Sequence, residues 1–321
     1  MALFVWGNGM LTFIFVDYFS ASSTIKCIQH FIEKCEKSQE KISFVIVDNS
    51  VDDANFNELS KAYSTISTME FDGSLLEEKR IGDKPCFLWK NKENTGYAQG
   101  NNAAAKVAIT YLKSDYFIFS NNDLLVLDSI LDIDRLIQEL KHNQVAIVGP
   151  SIVAKDGKIQ NPYYEKSFLS RWILEYLFYP FSRFLPKKCS SGDLLDPFLG
   201  NPVFRVMGSF FLIPSAVFIE VNGFDDNTFL FAEELILAKK MQQINYKINF
   251  VSEVHLLHNH SEIINKKYDF SKRLLLRFKS EAYYYKHYVG VSSGMIFIAE
   301  LILKSYLFRK RIVQQIKSFI K

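Results

Sequence analysis

Three apolar runs of strand length in this chain end in an aspartate, and that repeated ending constrains the fold more than any other feature. Asp17 follows residues 11–16, Asp48 follows residues 42–47, and residues 116–119 lead through Ser-Asn-Asn to Asp123. Runs that are apolar on both faces and rich in β-branched and aromatic residues read as strands buried on both sides. Helical patterns lie between them: Ile25, Ile28, Phe31 and Ile32 share one face, and residues 98–112 are Ala-rich. Further strands are expected at 86–89, 145–148, 208–213 and 246–251. Helices are expected from Pro214 to a stop at Asn222-Gly223, over 229–243, and through the basic stretch after His260. The alternation predicts an α/β fold, a mainly parallel sheet flanked by helices. Ligands sit beyond the carboxyl ends of such strands, where all three aspartates lie.

A chain of 321 residues, 48% apolar and 23% charged, is neither disordered nor a polytopic membrane protein. Its net charge of +3 hides an asymmetry. Residues 266–321 carry 13 Lys/Arg against Asp269, Glu281 and Glu300, a local +10, so residues 1–265 sum to −7. This divides the chain into a body, 1–265, and a basic helical extension, 266–321, and argues against a nucleic-acid binder. Cys27, Cys35, Cys86 and Cys189 show neither metal-ligand nor disulfide spacing, which suits a cytoplasmic protein with reduced thiols. The apolar start lacks a basic leader and reads as a first strand.

Five constellations can carry chemistry. Asn121-Asn122-Asp123 offers oxygen ligands for Mg²⁺ or Mn²⁺, an Asx-rich turn being the competing reading. Asp48, with Asn49-Ser50 after it, can bind a base or ribose edge, or cap a helix. Residues 94–102 hold Asn94, Gly96, Gly100 and Asn101 in a loop opening a helix, where close backbone approach and an anion are both favoured. Glu233-Glu234 suits a general base, because adjacent carboxylates near apolar residues raise one another's pKa; a helix first turn is the alternative. His255, His258 and His260 can supply an imidazole ligand to a metal.

The order of these motifs resembles the inverting nucleotide-sugar glycosyltransferases of family 2, with the GT-A fold, and among them the rhamnosyltransferase-like bacterial enzymes of surface-polysaccharide synthesis. The family's V-D-N-x-S-x-D is matched from Val47 to Asp53 with the serine displaced, and its N-x-G-F-A-x-G-N-N from Asn94 to Asn102 with Tyr97 for Phe. Its D-x-D-like strand end is matched at Asn121–Asp123, its G-G-F-D-E at Asn222–Asp226, and its F-x-x-x-E-D/E-x-D-L at Phe229–Leu237. The likeness runs roughly from residue 10 to 262. It implies that Asp17, Tyr18, Asp48, Asn94, Gly96, Asn101 and Asn122 bind a UDP- or dTDP-type sugar donor. Asp123 and His258 would hold the divalent metal, and Glu234, beside Glu233, would be the catalytic base. Gly208, Ser209 and Asp225 would meet a glycan or polyprenyl-linked acceptor. Asn121, Glu234 and Ile236 depart from the family pattern, which leaves a non-catalytic nucleotide-sugar-binding or scaffold protein at the membrane as the alternative. A phosphotransferase built on Asp48 is disfavoured by Ser50, where a second carboxylate is wanted.

The extension ends in an apolar stretch, 289–308, interrupted by Glu300 and Lys304 and followed by Arg309-Lys310-Arg311. That pattern fits a helix lying on an anionic leaflet, hence a protein peripheral on the inner face of the cell membrane, better than a span. A helix docked on the body with a solvated basic face is the competing reading. The aromatic share, 15%, is concentrated at 163–185 and 268–308, where it is expected to meet acceptor or membrane.

Overall fold

The computed structural model describes residues 9–177, 201–259 and 269–319. Its strands are β1 Met10–Asp17, β2 Lys41–Asp48, β3 Ser64–Phe71, β4 Ser74–Ile81, β5 Lys84–Lys90, β6 Tyr116–Ser120, β7 Leu124–Val126, β8 Val145–Ala154, β9 Phe210–Pro214 and β10 Lys247–His258. The helices are α1 Ala21–Lys34, α2 Asp53–Lys61, α3 Gly96–Val107, α4 Ile133–Leu140, α5 Glu175–Leu177, α6 Ser215–Glu220 and α7 Glu233–Gln243. In the extension follow α8, Phe270–Tyr284, and α9, Ser293–Phe319. π turns extend α3 to Leu112 and lead into α5 from Leu169.

One sheet has the order β3-β4-β5-β2-β1-β6-β9-β8-β10-β7. The strands β5, β2, β1 and β6 run parallel at its heart, as the alternation predicts, and β8 pairs in parallel with β10. Antiparallel strands complete it: β9 between β6 and β8, β7 beside β10, and the β3–β4 hairpin outside β5. The hairpin is invisible to an apolar-run reading because β3 is mostly exposed. Its signal is Asp72-Gly73, both at positive φ, the two-residue turn that matches strand twist.

Each sheet face buries its own core. Phe13, Phe31, Phe44 and Phe210 pack on the face covered by α1, with ring centroids 5.4–6.5 Å apart. Phe117, Phe119, Phe211, Phe218 and Phe224 pack on the other, against α3, α6 and α7. Removing each such ring from water contributes on the order of 1.5–3 kcal/mol. The helix expected over 229–243 begins only at Glu233, because Phe231 and Ala232 hold φ of +70° and +69°. Residues 229–232 are therefore a loop, free to reach the strand ends.

A third core corrects the expectation for part of the aromatic segments. Phe168, Trp172 and Tyr176 are buried against Phe278, Tyr284 and Tyr285 of the α8 region and Leu303 and Tyr306 of α9. Trp172 meets Phe278 edge-on at 4.9 Å and stacks on Tyr176 at 5.4 Å. Those rings fill a core rather than face a ligand; the rest of the segment, 178–185, lies outside the described residues. Ile236, fully buried, joins the same cluster, so the position departing from the family's aspartate seats the C-terminal helices. On α9 the face bearing Ala299, Leu303, Tyr306 and Leu307 is buried. The opposite face exposes Phe297, Ile298, Leu301, Phe308 and Ile312. Among the described residues no helix is long and apolar enough to cross a membrane.

Candidate active site

The strand ends are locked to one another by a buried polar network. Asp17 accepts from Ser20 Oγ at 2.8 Å, Thr24 Oγ1 at 2.5 Å and Asn55 Nδ2 at 2.7 Å. Asn55 Nδ2 also donates to Asp48 Oδ1 at 2.9 Å, and Asn122 Nδ2 donates to Ser20 Oγ at 2.8 Å and Thr24 Oγ1 at 2.6 Å. Asp17 and Asp48 are fully buried. Burial pushes the Asp48 carboxyl up, and its Oδ2 has no hydrogen-bond partner. Asp17 thus positions the loops after β1, β2 and β6.

The motif of residues 94–102 packs against the loop before α7. Gly96 has φ +84°, and a Cβ there would lie 2.2 Å from the Phe229 carbonyl oxygen, so glycine is required twice over. The Gly96 amide donates to Asn94 Oδ1 at 3.0 Å and the Tyr97 amide to Phe229 O at 3.0 Å. These first amides of α3 are committed within the protein, so the expected anion site at this helix start is not formed by them. Asn101, buried, donates to Tyr97 O at 2.9 Å while its Oδ1 stays unpartnered. Asn102 clasps the second motif, accepting from Phe224 N at 2.9 Å and donating to Asp226 Oδ1 at 2.7 Å. Asp225 faces the extension instead: the hydroxyls of Tyr283 and Tyr288 donate to it at 3.1 and 2.5 Å. Burial pushes its carboxyl up, but bonds from Tyr288, Asn227 and Tyr283 outweigh that and hold it low.

Asp123 and His258 line a cleft beyond the strand ends. Oδ2 of Asp123 lies 3.3 Å from His258 Nε2, and both carboxylate oxygens are buried without a hydrogen bond. Nδ1 of His258 meets Gln160 Oε1 at 2.9 Å, which places the proton on Nδ1 and turns the Nε2 lone pair toward Asp123. Unsatisfied oxygens beside an oriented imidazole fit a divalent cation. No third His, Cys, Asp or Glu joins them among the described residues. His255 pairs with Asp128 instead, and His260 lies outside the described residues.

Glu233 and Glu234 line the same cleft. Glu234 Oε1 is 3.2 Å from Arg205 Nη1, and Arg205 lies over the Tyr163 ring at 3.8 Å. Glu233 is buried, its Oε2 without a partner; burial first, and repulsion from Glu234 second, push its carboxyl up to about 8. Burial and repulsion thus favour the neutral form of Glu233, while Glu234 is paired with Arg205. A Cβ on Gly208 would lie 3.6 Å from Glu234 Oε2, in ordinary van der Waals contact.

One cleft of about 790 Å³ holds both groups. Of the residues singled out from sequence, Tyr18, Asn94, Gly96, Asn122, Asp123, Gly208, Ser209, Glu233, Glu234 and His258 line it. Asp17, Asp48, Asn101 and Asp225 do not line it. Sequence reasoning missed Asn49, Tyr163, Arg205, Arg273 and Arg277, which do. Asn49 lies inside a motif already recognised; the others sit in stretches with no motif.

No protein-family model matches the chain. It is 23% identical over 172 residues to the rhamnosyltransferase WbbL of Escherichia coli (strain K12), covering 51% of this chain and 60% of that protein. The match thus spans less than two thirds of WbbL. Among solved structures it is similar to the mannosyltransferase PcManGT from Pyrobaculum calidifontis in complex with GDP-Man and Mn²⁺, at TM-score 0.54 and 14% identity, over 93% of this chain and 70% of that one. Similar too is S. aureus TarS 1–349 with UDP-GlcNAc, at TM-score 0.51 and 11% identity, over 93% and 71% of the two chains. GalNAc-T7 with UDP, GalNAc and Mn²⁺ matches at TM-score 0.51 and 13% identity, over 78% of this chain and 43% of that one. The chain shares the GT-A fold of these structures.

Proposed function

We propose that the protein transfers a sugar, with inversion, from a nucleoside diphosphate sugar to a hydroxyl of a glycan or lipid-linked acceptor in bacterial surface-polysaccharide synthesis. The observation that carries this is one cleft that holds both the unsatisfied Asp123 oxygens beside His258 and a Glu234 paired with Arg205. The likeness to a rhamnosyltransferase supports a rhamnosyl or hexosyl group, and neighbours solved with nucleotides and Mn²⁺ support the donor class and the metal.

Tyr18, Asn49 and Asn94 line the cleft near the first two strand ends, where the base and ribose would lie. Asp123 and His258 would hold Mg²⁺ or Mn²⁺, which would supply positive charge to the departing diphosphate. Glu234 takes the proton of the acceptor hydroxyl. That oxygen bonds to the anomeric carbon from the face opposite the nucleoside diphosphate, whose bond breaks in the same displacement. Arg205 orients Glu234 while leaving Oε2 for the incoming hydroxyl.

The exposed apolar face of α9, flanked by Lys304, Arg309 and Arg311, would rest on the inner leaflet of the cell membrane. Each cation near an anionic surface contributes on the order of 1 kcal/mol.

A thermal-shift screen of UDP, dTDP and GDP, with and without Mn²⁺, tests the donor reading. One nucleotide should stabilise the protein only with metal, and Asp123→Asn should abolish the metal's contribution. Metal-independent binding, or an undiminished metal effect in D123N, refutes the assignment.

A further inference from the structure

Tyr97 stands where the motif that residues 94–102 resemble has a phenylalanine, so its hydroxyl is this chain's own addition. That hydroxyl donates to the Gly208 carbonyl oxygen at 3.0 Å, a bond between residues 111 apart in sequence. Burial pushes the pKa of the hydroxyl up, which keeps it a donor. The Tyr97 amide donates to Phe229 O at 3.0 Å, and the ring meets Phe224 edge-on with centroids 6.4 Å apart. One residue is thereby bonded to two distant stretches, and both lead to Glu234.

The first stretch flanks the proposed base. A Cβ built on Gly208 would lie 3.5 Å from Glu234 Cβ and 3.6 Å from Oε2, so the Gly208 backbone runs beside that side chain. The next residue, Ser209, accepts through its carbonyl from Asn121 N at 2.8 Å, which ties the same segment to the turn carrying Asp123. The second stretch leads into the base. Phe229 begins the loop that enters α7, and the positive φ of Phe231 and Ala232 turns the chain so that Glu233 and Glu234 open the helix. Arg205 holds Oε1 of Glu234 at 3.2 Å. The backbone beside Oε2 is the part that Tyr97 fixes. A general base must stand within a hydrogen bond of the proton it takes, and misplacement by about 1 Å can cost on the order of 10²-fold.

We propose that Tyr97 is a positioning residue for the transfer: its hydroxyl fixes the Gly208 backbone beside Glu234 and so sets where the base meets the attacking hydroxyl. The proposal rests on the sugar-transfer reading above. Tyr97 also lines the cleft, so direct contact of its hydroxyl with the donor is the alternative that the test must separate.

Tyr97→Phe keeps the ring and the amide bond and removes only the hydroxyl. Tyr285→Phe is the control, because Tyr285 OH donates to Lys166 O at 2.9 Å, a bond of the same kind in the core that seats the extension. The full chain with Mn²⁺ is assayed for release of nucleoside diphosphate from dTDP-rhamnose, UDP-GlcNAc and GDP-mannose, with water as the acceptor whose proton Glu234 takes. Y97F should lower kcat about ten-fold and leave the donor KM within about two-fold, while Y285F changes neither. Hydrogen exchange followed by mass spectrometry should show amides of residues 205–212 exchanging about five-fold faster in Y97F and unchanged in Y285F. An unchanged kcat in Y97F overturns the proposal. A raised donor KM at constant kcat assigns the hydroxyl to donor contact and overturns it too. So does an equal fall of kcat in Y285F, which marks a general loss of stability. If the wild type releases no nucleotide from any donor, the proposed function fails instead. Exchange over 205–212 still decides whether the Tyr97 hydroxyl holds the Gly208 segment, and unchanged rates there overturn the proposal whatever the reaction.

Discussion

Glu233 and Glu281 are both buried glutamates beside the C-terminal helices, yet their surroundings drive them to opposite charge states. Burial pushes both carboxyls up. At Glu281, Arg277 and Arg171 outweigh it, Trp172 Nε1 adds a bond at 2.9 Å, and the carboxyl is held down at about 2. At Glu233 repulsion from Glu234 adds to burial, Oε2 has no partner, and the carboxyl rises to about 8. The first glutamate fastens the extension to the body. The second is pushed toward its neutral form beside Glu234 in the cleft. Full satisfaction marks a structural acid, whereas unmet capacity marks a site that waits for a ligand.

Removing the charged acid of the cleft should have the largest effect. Glu234→Gln is expected to lower kcat by roughly 10²–10⁴-fold with little change in donor affinity. Full activity with normal donor binding would move the base elsewhere. Breaking the satisfied acid should act on folding instead: Glu281→Gln leaves Arg171 and Arg277 short of their counter-charge, at roughly 3–5 kcal/mol. Urea melts at neutral pH would read that loss. In the wild type this stabilisation is present above about pH 4.5 and fades as pH falls toward 2.

Glu233→Gln should do the reverse. The folded wild type keeps a proton that the unfolded chain releases above about pH 4.5, so wild-type stability falls as pH climbs toward 8. The variant escapes that loss, and its melting temperature should exceed wild type's by a margin growing from pH 5 to 8, about 1–3 kcal/mol at the top. A margin independent of pH would show that Glu233 is ionised in the fold. The smallest effect concerns Asp123, a third buried acid with unmet oxygens. Gln160→Ala frees His258 to turn and should cost about ten-fold in Mn²⁺ affinity, read by titration against the nucleotide complex.

Legibility followed the physics of each element. The parallel strands were readable because burial on both faces writes an unbroken apolar run. The β3–β4 hairpin was not, since an exposed edge imposes no such run; only Asp72-Gly73 betrays it. The start of α7 was misplaced by four residues because nothing local announces positive φ at Phe231 and Ala232. Of the site, the residues carried by motifs at strand ends and helix starts were found. Arg205, Arg273 and Arg277 were not, for they reach the cleft from distant stretches with no motif of their own.

By itself the sequence determined the α/β alternation, the aspartates at strand ends, the order of motifs and the basic extension, because these are written in local pattern and composition. Only the tertiary structure decided which of those acids remain open for chemistry. Asp17 and Asp48 differ from Asp123, and Glu233 from Glu281, not in type or spacing but in the partners brought within 3.5 Å from elsewhere in the chain. Hydrogen bonding and desolvation set a carboxylate's charge, and both depend on neighbours that only folding supplies.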